Sequence, residues 1–220
     1  MSRTFITATG TGIGKTLVTS VMTRQLRARG QTVRALKPVI SGFTADTIHD
    51  SDTAELLRAM DRPVTPDTIA DISPWRFEAP LSPDMAAIRE GRAVDFLKLI
   101  EFCDGPELTD HTLIEGVGGA FVPLSENHTV ADWIAELSIP ALLVCGSYLG
   151  TLSHTIATLE ALNNRRVTVT GIIISESPES PVPLAETQAT LGRFVGTVEI
   201  VCLPRLASWH DAPDLTGLIG

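Results

Sequence analysis

The sequence predicts an α/β protein of three layers, a mostly parallel central sheet with helices on both faces. Two observations carry that reading. Apolar runs of strand length alternate with segments patterned as helices, which implies strand–helix–strand crossovers. The chain is 44% hydrophobic but only 5% aromatic, the Val, Ile, Leu and Ala balance of such a core. At 220 residues it is long enough to build the three layers as one domain spanning residues 1–220.

Strand-like runs occur at residues 4–8, 32–36, 112–115, 141–146, 167–175 and 197–201. The first helix is expected at 15–29, stopped by Gly30 in the position after a helix end. Shorter helices follow at 52–60 and 84–90. Residues 94–103 carry apolar side chains at helical spacing. The helix at 129–137 opens on Thr129 and Asp132, a variant of the capping box. Helices at 151–163 and 184–195 complete the set. The proline-rich stretches 63–83 and 178–183 read as loops within the domain. Ligands of such sheets bind beyond the C-terminal ends of the strands, so the chemistry is sought there.

The first strand empties into Thr9-Gly10-Thr11-Gly12-Ile13-Gly14-Lys15-Thr16, and a helix pattern begins at once. This is the strand–loop–helix setting of a phosphate-binding P-loop. Glycines let backbone N–H groups close around phosphate oxygens, and the helix N-terminus adds unpaired donors. Lys15 is placed to reach terminal phosphates, and the Thr16 hydroxyl to take one position on Mg²⁺. The loop is not a strict Walker sequence, because Thr9 stands six residues before Lys15. Nor is it a dinucleotide loop, because Lys15 occupies the place of the third glycine.

The net charge of −9 argues against nucleic acid or an anionic membrane as the main partner. A phosphate site must therefore gather its own positive charge. Of 17 basic residues only Lys15, Lys37 and Lys98 are lysines, so a lysine at a strand end points to a need for an ammonium. Cys103, Cys145 and Cys202 are widely spaced and odd in number, as expected of reduced, mostly buried residues in a cytoplasmic protein. The five histidines show no metal-ligand spacing. No leader is expected before the first strand, and no apolar run approaches membrane-spanning length.

Three further places fall at the same rim. Lys37 follows the second strand, ahead of Pro38, Ser41 and Gly42, and is expected to project from the rim. Asp52 either opens a capping box with Glu55 or binds a metal, and the two roles are compatible. Glu115 ends an apolar strand and is followed by Gly116, Gly118 and Gly119; beside a P-loop, such a carboxylate helps hold Mg²⁺. A fourth place, the turn Gly146-Ser147-Tyr148-Leu149-Gly150-Thr151, enters a helix and suits an anion without any basic residue.

Together these blocks resemble dethiobiotin synthetase, the ATP-dependent cyclo-ligase of biotin synthesis, a family with a P-loop NTPase-like fold. The matching pieces are Thr9 through Thr16, Lys37-Pro38-Val39 with Ser41 and Gly42, Ser51-Asp52, and Glu115-Gly116 with Gly118 and Gly119. Ala131-Asp132-Trp133 and Leu149-Gly150-Thr151 with His154 continue the series to about Pro204. The resemblance implies conversion of 7,8-diaminononanoate and CO₂ to dethiobiotin, through a carbamate and a carbamic-phosphoric anhydride. It assigns catalysis to Lys15 and Lys37, and Mg²⁺ to Thr16, Asp52 and Glu115. Nucleotide contacts are implied for Gly12, Ile13, Gly14, Lys15, Thr16, Ser175 and Pro204. Substrate contacts are implied for Thr11, Lys37, Ser41 and Gly118. Leu149, Gly150 and Thr151 would hold the substrate carboxylate of the partner subunit in a homodimer.

The chain departs from the family in places. Ala8 stands where many members have an outer glycine, and Gly10 and Gly12 where some have acidic residues. Ser175 replaces an adenine-reading Asn of some members, and Thr187 a Tyr. The competing expectation is a P-loop ATPase switch of the partitioning or metal-chaperone class. Those proteins place an extra lysine five residues before the P-loop lysine, where this chain has Gly10.

Overall fold

A computed structural model describes residues 1–105 and 109–219 of the protein. The chain runs through β1 (Ser2–Ala8), α1 (Lys15–Ala28), β2 (Val33–Leu36), β3 (Val39–Ser41), α2 (Asp52–Ala59), α3 (Pro66–Ile72), β4 (Trp75–Phe77), α4 (Pro83–Arg89) and α5 (Phe96–Cys103). It continues through β5 (His111–Glu115), α6 (Val130–Leu137), β6 (Ala141–Cys145), α7 (Thr151–Asn164), β7 (Val169–Ser175), α8 (Leu184–Leu191) and β8 (Glu199–Leu203). Six strands form a parallel sheet in the order β2-β5-β1-β6-β7-β8. This is the three-layer, P-loop NTPase-like arrangement that the sequence predicts.

Alternate residues of each strand feed the two faces. Phe5, Ile114, Leu143 and Ile172 join one core cluster, with helices α2 through α8 supplying the partners. Ile6, Leu113, Leu142 and Ile173 join the other. That second face is covered by α1, through Val18, Val21, Met22 and Leu26, and by Leu215 and Leu218 of the C-terminal segment. The tail is strapped down by Gln25, which donates to Pro213 O at 2.8 Å and accepts from Leu215 N at 3.0 Å. Residues near the C-terminus thus complete the third layer.

β1 lies between β5 and β6, at the point where successive crossovers go to opposite sides, which opens a crevice at the strand ends. The P-loop leaves β1, Glu115 ends β5, and the Gly146 turn leaves β6. Three candidate blocks distant in sequence are thereby neighbours.

Several elements differ from expectation. Residues 63–83 are not all loop; they contain α3 and β4. Thr65 and Thr68 form a reciprocal capping box, with Pro66 at the start of α3. Proline in the first helical turn loses no hydrogen bond, so it starts this helix instead of breaking it. Val39 to Ser41 form a strand of their own, paired in parallel with Trp75 to Phe77 as a second, two-stranded sheet. The helix expected at 184–195 ends at Leu191, before Gly192, and β8 begins two residues later than expected, at Glu199. The capping box at Thr129 and Asp132 forms as expected.

Candidate active site

The P-loop takes its shape from two glycines in the left-handed region, Gly12 at φ 71° and Gly14 at φ 102°. Gly14 caps α1 without a side chain, so no cap occupies the first N–H groups where Gly14, Lys15 and Thr16 line the crevice. A Cβ on Gly14 would stand 2.6 Å from Ser175 Oγ. Gly14→Ala should therefore cost about 1–3 kcal/mol of stability, from backbone strain and the collision together. Urea unfolding measures this; a loss under a few tenths would mean that the loop relaxes freely.

Lys15, the first residue of α1, is buried and donates to Gly118 O at 2.6 Å and Gly10 O at 3.3 Å. The next side chain, Thr16, donates to Glu115 Oε1 at 2.7 Å. Lys37 donates to the same Oε1 at 2.6 Å and to Gly116 O at 2.9 Å, with Asp52 Oδ2 at 3.3 Å. Glu115 is fully buried, and its Oε2 has no hydrogen-bond partner. Lys37 does not project from the rim as expected. Only 3% exposed, it is drawn into the floor of the crevice by the carboxylate at the end of β5.

Asp52 also differs in detail. Ser51 caps α2, accepting from Ala54 N at 3.1 Å. Asp52 is thus released from capping and turns its carboxylate toward Lys37.

The two ammonium groups respond oppositely to their surroundings. Burial first, then the neighbouring charge of Lys37, pushes Lys15 down to about 8. Burial also disfavours the Lys37 ammonium, but Glu115 and Asp52 outweigh it and raise Lys37 above the ordinary lysine value. Unfolded Lys15 keeps its proton up to its ordinary value of 10.5, whereas the folded residue releases it near pH 8. Stability tied to Lys15 therefore rises with pH between those values and is lost as pH falls through 8. With a metal chelator present, the unfolding free energy of the wild type should gain on that of Lys15→Met across this window. A constant difference between the two would refute the burial effect.

These groups share one crevice of about 540 Å³. Its lining brings together eleven predicted residues: Thr11, Gly12, Ile13, Gly14, Lys15, Thr16, Lys37, Ser41, Asp52, Glu115 and Gly118. Ser175 and Pro204 line a second cavity of about 320 Å³, which shares Gly12, Ile13 and Gly14 with the first. Leu149, Gly150 and Thr151 line neither, and Leu149 is 88% exposed. Thr187 is buried within α8 and faces neither cavity.

Thr16, Asp52 and Glu115, whose Oε2 is buried and partnerless, line one crevice with hard oxygen donors, a set suited to a small divalent cation. Among the described residues no group of three or more His, Cys, Asp and Glu is placed to hold a metal. A cation here would accordingly share these few donors with phosphate oxygens and water.

An AAA domain description matches residues 2–212. ATP-dependent dethiobiotin synthetase BioD of Acidiphilium cryptum is 46% identical over 96% of this chain and 96% of its own length. The same enzyme of Methylobacterium nodulans is 45% identical, over 93% of this chain and 94% of its own. The chain belongs to the dethiobiotin synthetase family. That membership sets it with ligases and does not favour the switch ATPase. The septum site-determining protein MinD of Pyrococcus horikoshii, complexed with Mg-ADP, superposes with a TM-score of 0.55. It is 17% identical over 92% of this chain and 81% of its own, a likeness of fold alone.

One wall of the crevice is not visible in the sequence of this family member. Ile40, Pro80, Leu81, Pro83, Val117 and Val122 give it an apolar side opposite the charged floor. Gly42 holds this wall in place: at φ 72°, its N–H donates to Ala79 O at 3.2 Å. The only signal in the sequence was the density of prolines in 63–83, which also marks ordinary loops. The second cavity likewise gains Glu176, Ser177, Pro178, Arg205 and Leu206.

Proposed function

We propose that the protein converts 7,8-diaminononanoate and CO₂ to dethiobiotin at the expense of ATP, with residues 1–220 acting as one nucleotide-binding and ligase unit. The observation that carries this reading is the form of the main crevice. Two buried lysines and two carboxylates share it with an apolar wall of Ile40, Pro80, Leu81, Pro83, Val117 and Val122. A nine-carbon diamino acid has matching parts: an aliphatic chain for the wall, and a reacting end that becomes anionic.

The reaction then runs as follows. One substrate amine adds to CO₂, losing a proton, and becomes a carbamate. A carbamate oxygen attacks the γ-phosphorus of ATP, and the bond to the bridging oxygen breaks as ADP leaves. The second amine attacks the carbonyl carbon of the anhydride, phosphate leaves, and the ureido ring closes. Lys37, held at the floor by Glu115 and Asp52, faces the carbamate, while Lys15 and the P-loop N–H groups face the phosphates. Thr11, Ser41 and Gly118 flank the reacting end of the substrate. The apolar wall excludes water that would hydrolyse the anhydride. Catalysis by such a site is mainly positioning and charge neutralisation.

Thr16, Asp52 and Glu115 would hold Mg²⁺ in this reading, and the ion would supply charge neutralisation to the triphosphate. Ser175 and Pro204 flank the nucleoside in the second cavity. The turn at Leu149, Gly150 and Thr151 receives the substrate carboxylate from the partner subunit of a homodimer. The exposure of Leu149 and Gly150, away from their own crevice, supports a role across an interface. No helix among the described residues is long and apolar enough to cross a membrane, and the proposed site of action is the cytoplasm.

The test uses purified protein with the diamine, bicarbonate, Mg²⁺ and each nucleoside triphosphate, following phosphate release and product mass. Diamine-dependent phosphate release with a product of dethiobiotin mass is expected. Triphosphate hydrolysis indifferent to the diamine would sink the ligase reading.

A further inference from the structure

Two serines that the reaction leaves unused join the nucleoside cavity to the carboxylate turn. Ser147 leaves the end of β6 and begins that turn; Ser177 leaves the end of β7 and lines the second cavity. The Ser147 N–H donates to Ser177 Oγ at 3.0 Å, and the Ser177 N–H donates to Ser147 Oγ at 2.9 Å. Ser180 Oγ donates to Ser147 O at 3.4 Å. Ser147 is buried, at 1% exposure. β6 and β7 last pair at Cys145 and Ile174, so this reciprocal ring continues the contact beyond the sheet.

The ring is built closely. A Cβ on Gly146 would stand 2.7 Å from Ser177 Oγ and 2.6 Å from the Tyr148 ring, so glycine is what lets the loops approach. The rest of the turn is tied to its own helix. Thr151 Oγ1 donates to Gly146 O at 2.7 Å, and the Tyr148 hydroxyl meets His154 Nδ1 at 2.9 Å. The turn is therefore tied to the start of α7, and the serine pair, with the longer Ser180 bond, links it to the Ser177 loop. Sliding one loop past the other breaks both bonds and strands the buried Ser147 N–H, a costly state.

We propose that Ser147 and Ser177 are positioning residues that hold the carboxylate turn in register with the nucleoside cavity, so that an occupied cavity favours the turn geometry offered to the partner's substrate. This rests on the turn meeting the substrate carboxylate, as set out under the proposed function.

The test compares wild type, Ser177→Ala, Ser147→Ala, the double variant and Ser177→Thr. Ser177→Ala should raise KM for the diamine about tenfold with kcat changed about twofold or less, the signature of lost ground-state binding. Ser177→Thr, which keeps the hydroxyl, should restore KM. The double variant should be little worse than either single one, because both remove one ring. A nonhydrolysable ATP analogue should tighten diamine binding in the wild type and leave Ser177→Ala nearly unresponsive. An unchanged KM in Ser177→Ala, a raised KM that Ser177→Thr does not reverse, or full nucleotide coupling without the hydroxyl overturns the inference. Leu149→Glu separates the two levels, since an added carboxylate on this exposed side chain should repel the substrate's own. If Leu149→Glu leaves the diamine KM unchanged, the turn does not meet the substrate and the underlying reading fails with the inference. If it raises KM while Ser177→Ala does not, the serine pair alone is overturned.

Discussion

Lys37→Arg is expected to lower kcat by about 10²–10³, the loss seen when one preorganised charge-stabilising donor is removed, while the formal charge stays the same. The Lys37 ammonium sits among Glu115 Oε1 at 2.6 Å, Gly116 O at 2.9 Å and Asp52 Oδ2 at 3.3 Å. That space fits a compact group with three donors. A guanidinium is planar and wider, so it must displace a carboxylate or withdraw toward Ser41. In either case the positive charge leaves the place where the proposed mechanism develops carbamate charge. Steady-state and single-turnover kinetics measure the loss, with circular dichroism to check folding. Turnover above a tenth of wild type would mean that charge suffices there and ammonium geometry does not matter.

The second large effect concerns stability. Glu115→Leu leaves Lys37 buried with only the half-exposed Asp52 as a charged partner, and removes the acceptor of the Thr16 hydroxyl. Breaking one side of such a buried pair costs about 3–5 kcal/mol, because the remaining charge is stranded. Glu115→Gln, which keeps an oxygen acceptor, should cost less. Combining Lys37→Met with Glu115→Leu should recover most of the loss, since neither charge then remains buried. Urea unfolding of the four proteins decides the matter; a single-variant cost under about 1 kcal/mol would show that Glu115 does not hold Lys37 charged. The pH dependence has a definite sign. Lys37 is raised in the folded state, so its contribution is complete below its ordinary value of 10.5 and fades as pH climbs through the folded one. The wild type should lose this increment at alkaline pH, and Glu115→Leu should have none to lose.

Much of the site was legible because its signals are local. The P-loop is written in consecutive residues, and Gly12, Gly14, Lys15 and Thr16 line one crevice at the start of α1. Glu115 was legible as a carboxylate ending an apolar strand, and Lys37 as one of three lysines in an arginine-rich chain. The apolar wall was not. Ile40, Pro80, Leu81 and Val122 are ordinary apolar residues until β3 and β4 pair and fold their loops over the crevice. Of the two roles open to Asp52, the cap falls to Ser51, because both are good caps and only the folded chain shows which side chain accepts from Ala54.

The sequence by itself determined the three-layer sheet, the phosphate loop and the chemical character of its companions, because each depends on periodicity or on neighbours within a few residues. The tertiary structure alone decided how those companions meet. Parallel crossovers place β5 beside β1, which brings Glu115 to Thr16 and, from 78 residues away, to Lys37. Burial then sets the two lysines apart, lowering Lys15 and raising Lys37. Such differences arise from desolvation and from charges brought close in space, and neither is a property of a residue's position along the chain. The same holds for the Ser147 and Ser177 ring, since two unremarkable serines become a link only when β6 and β7 end side by side.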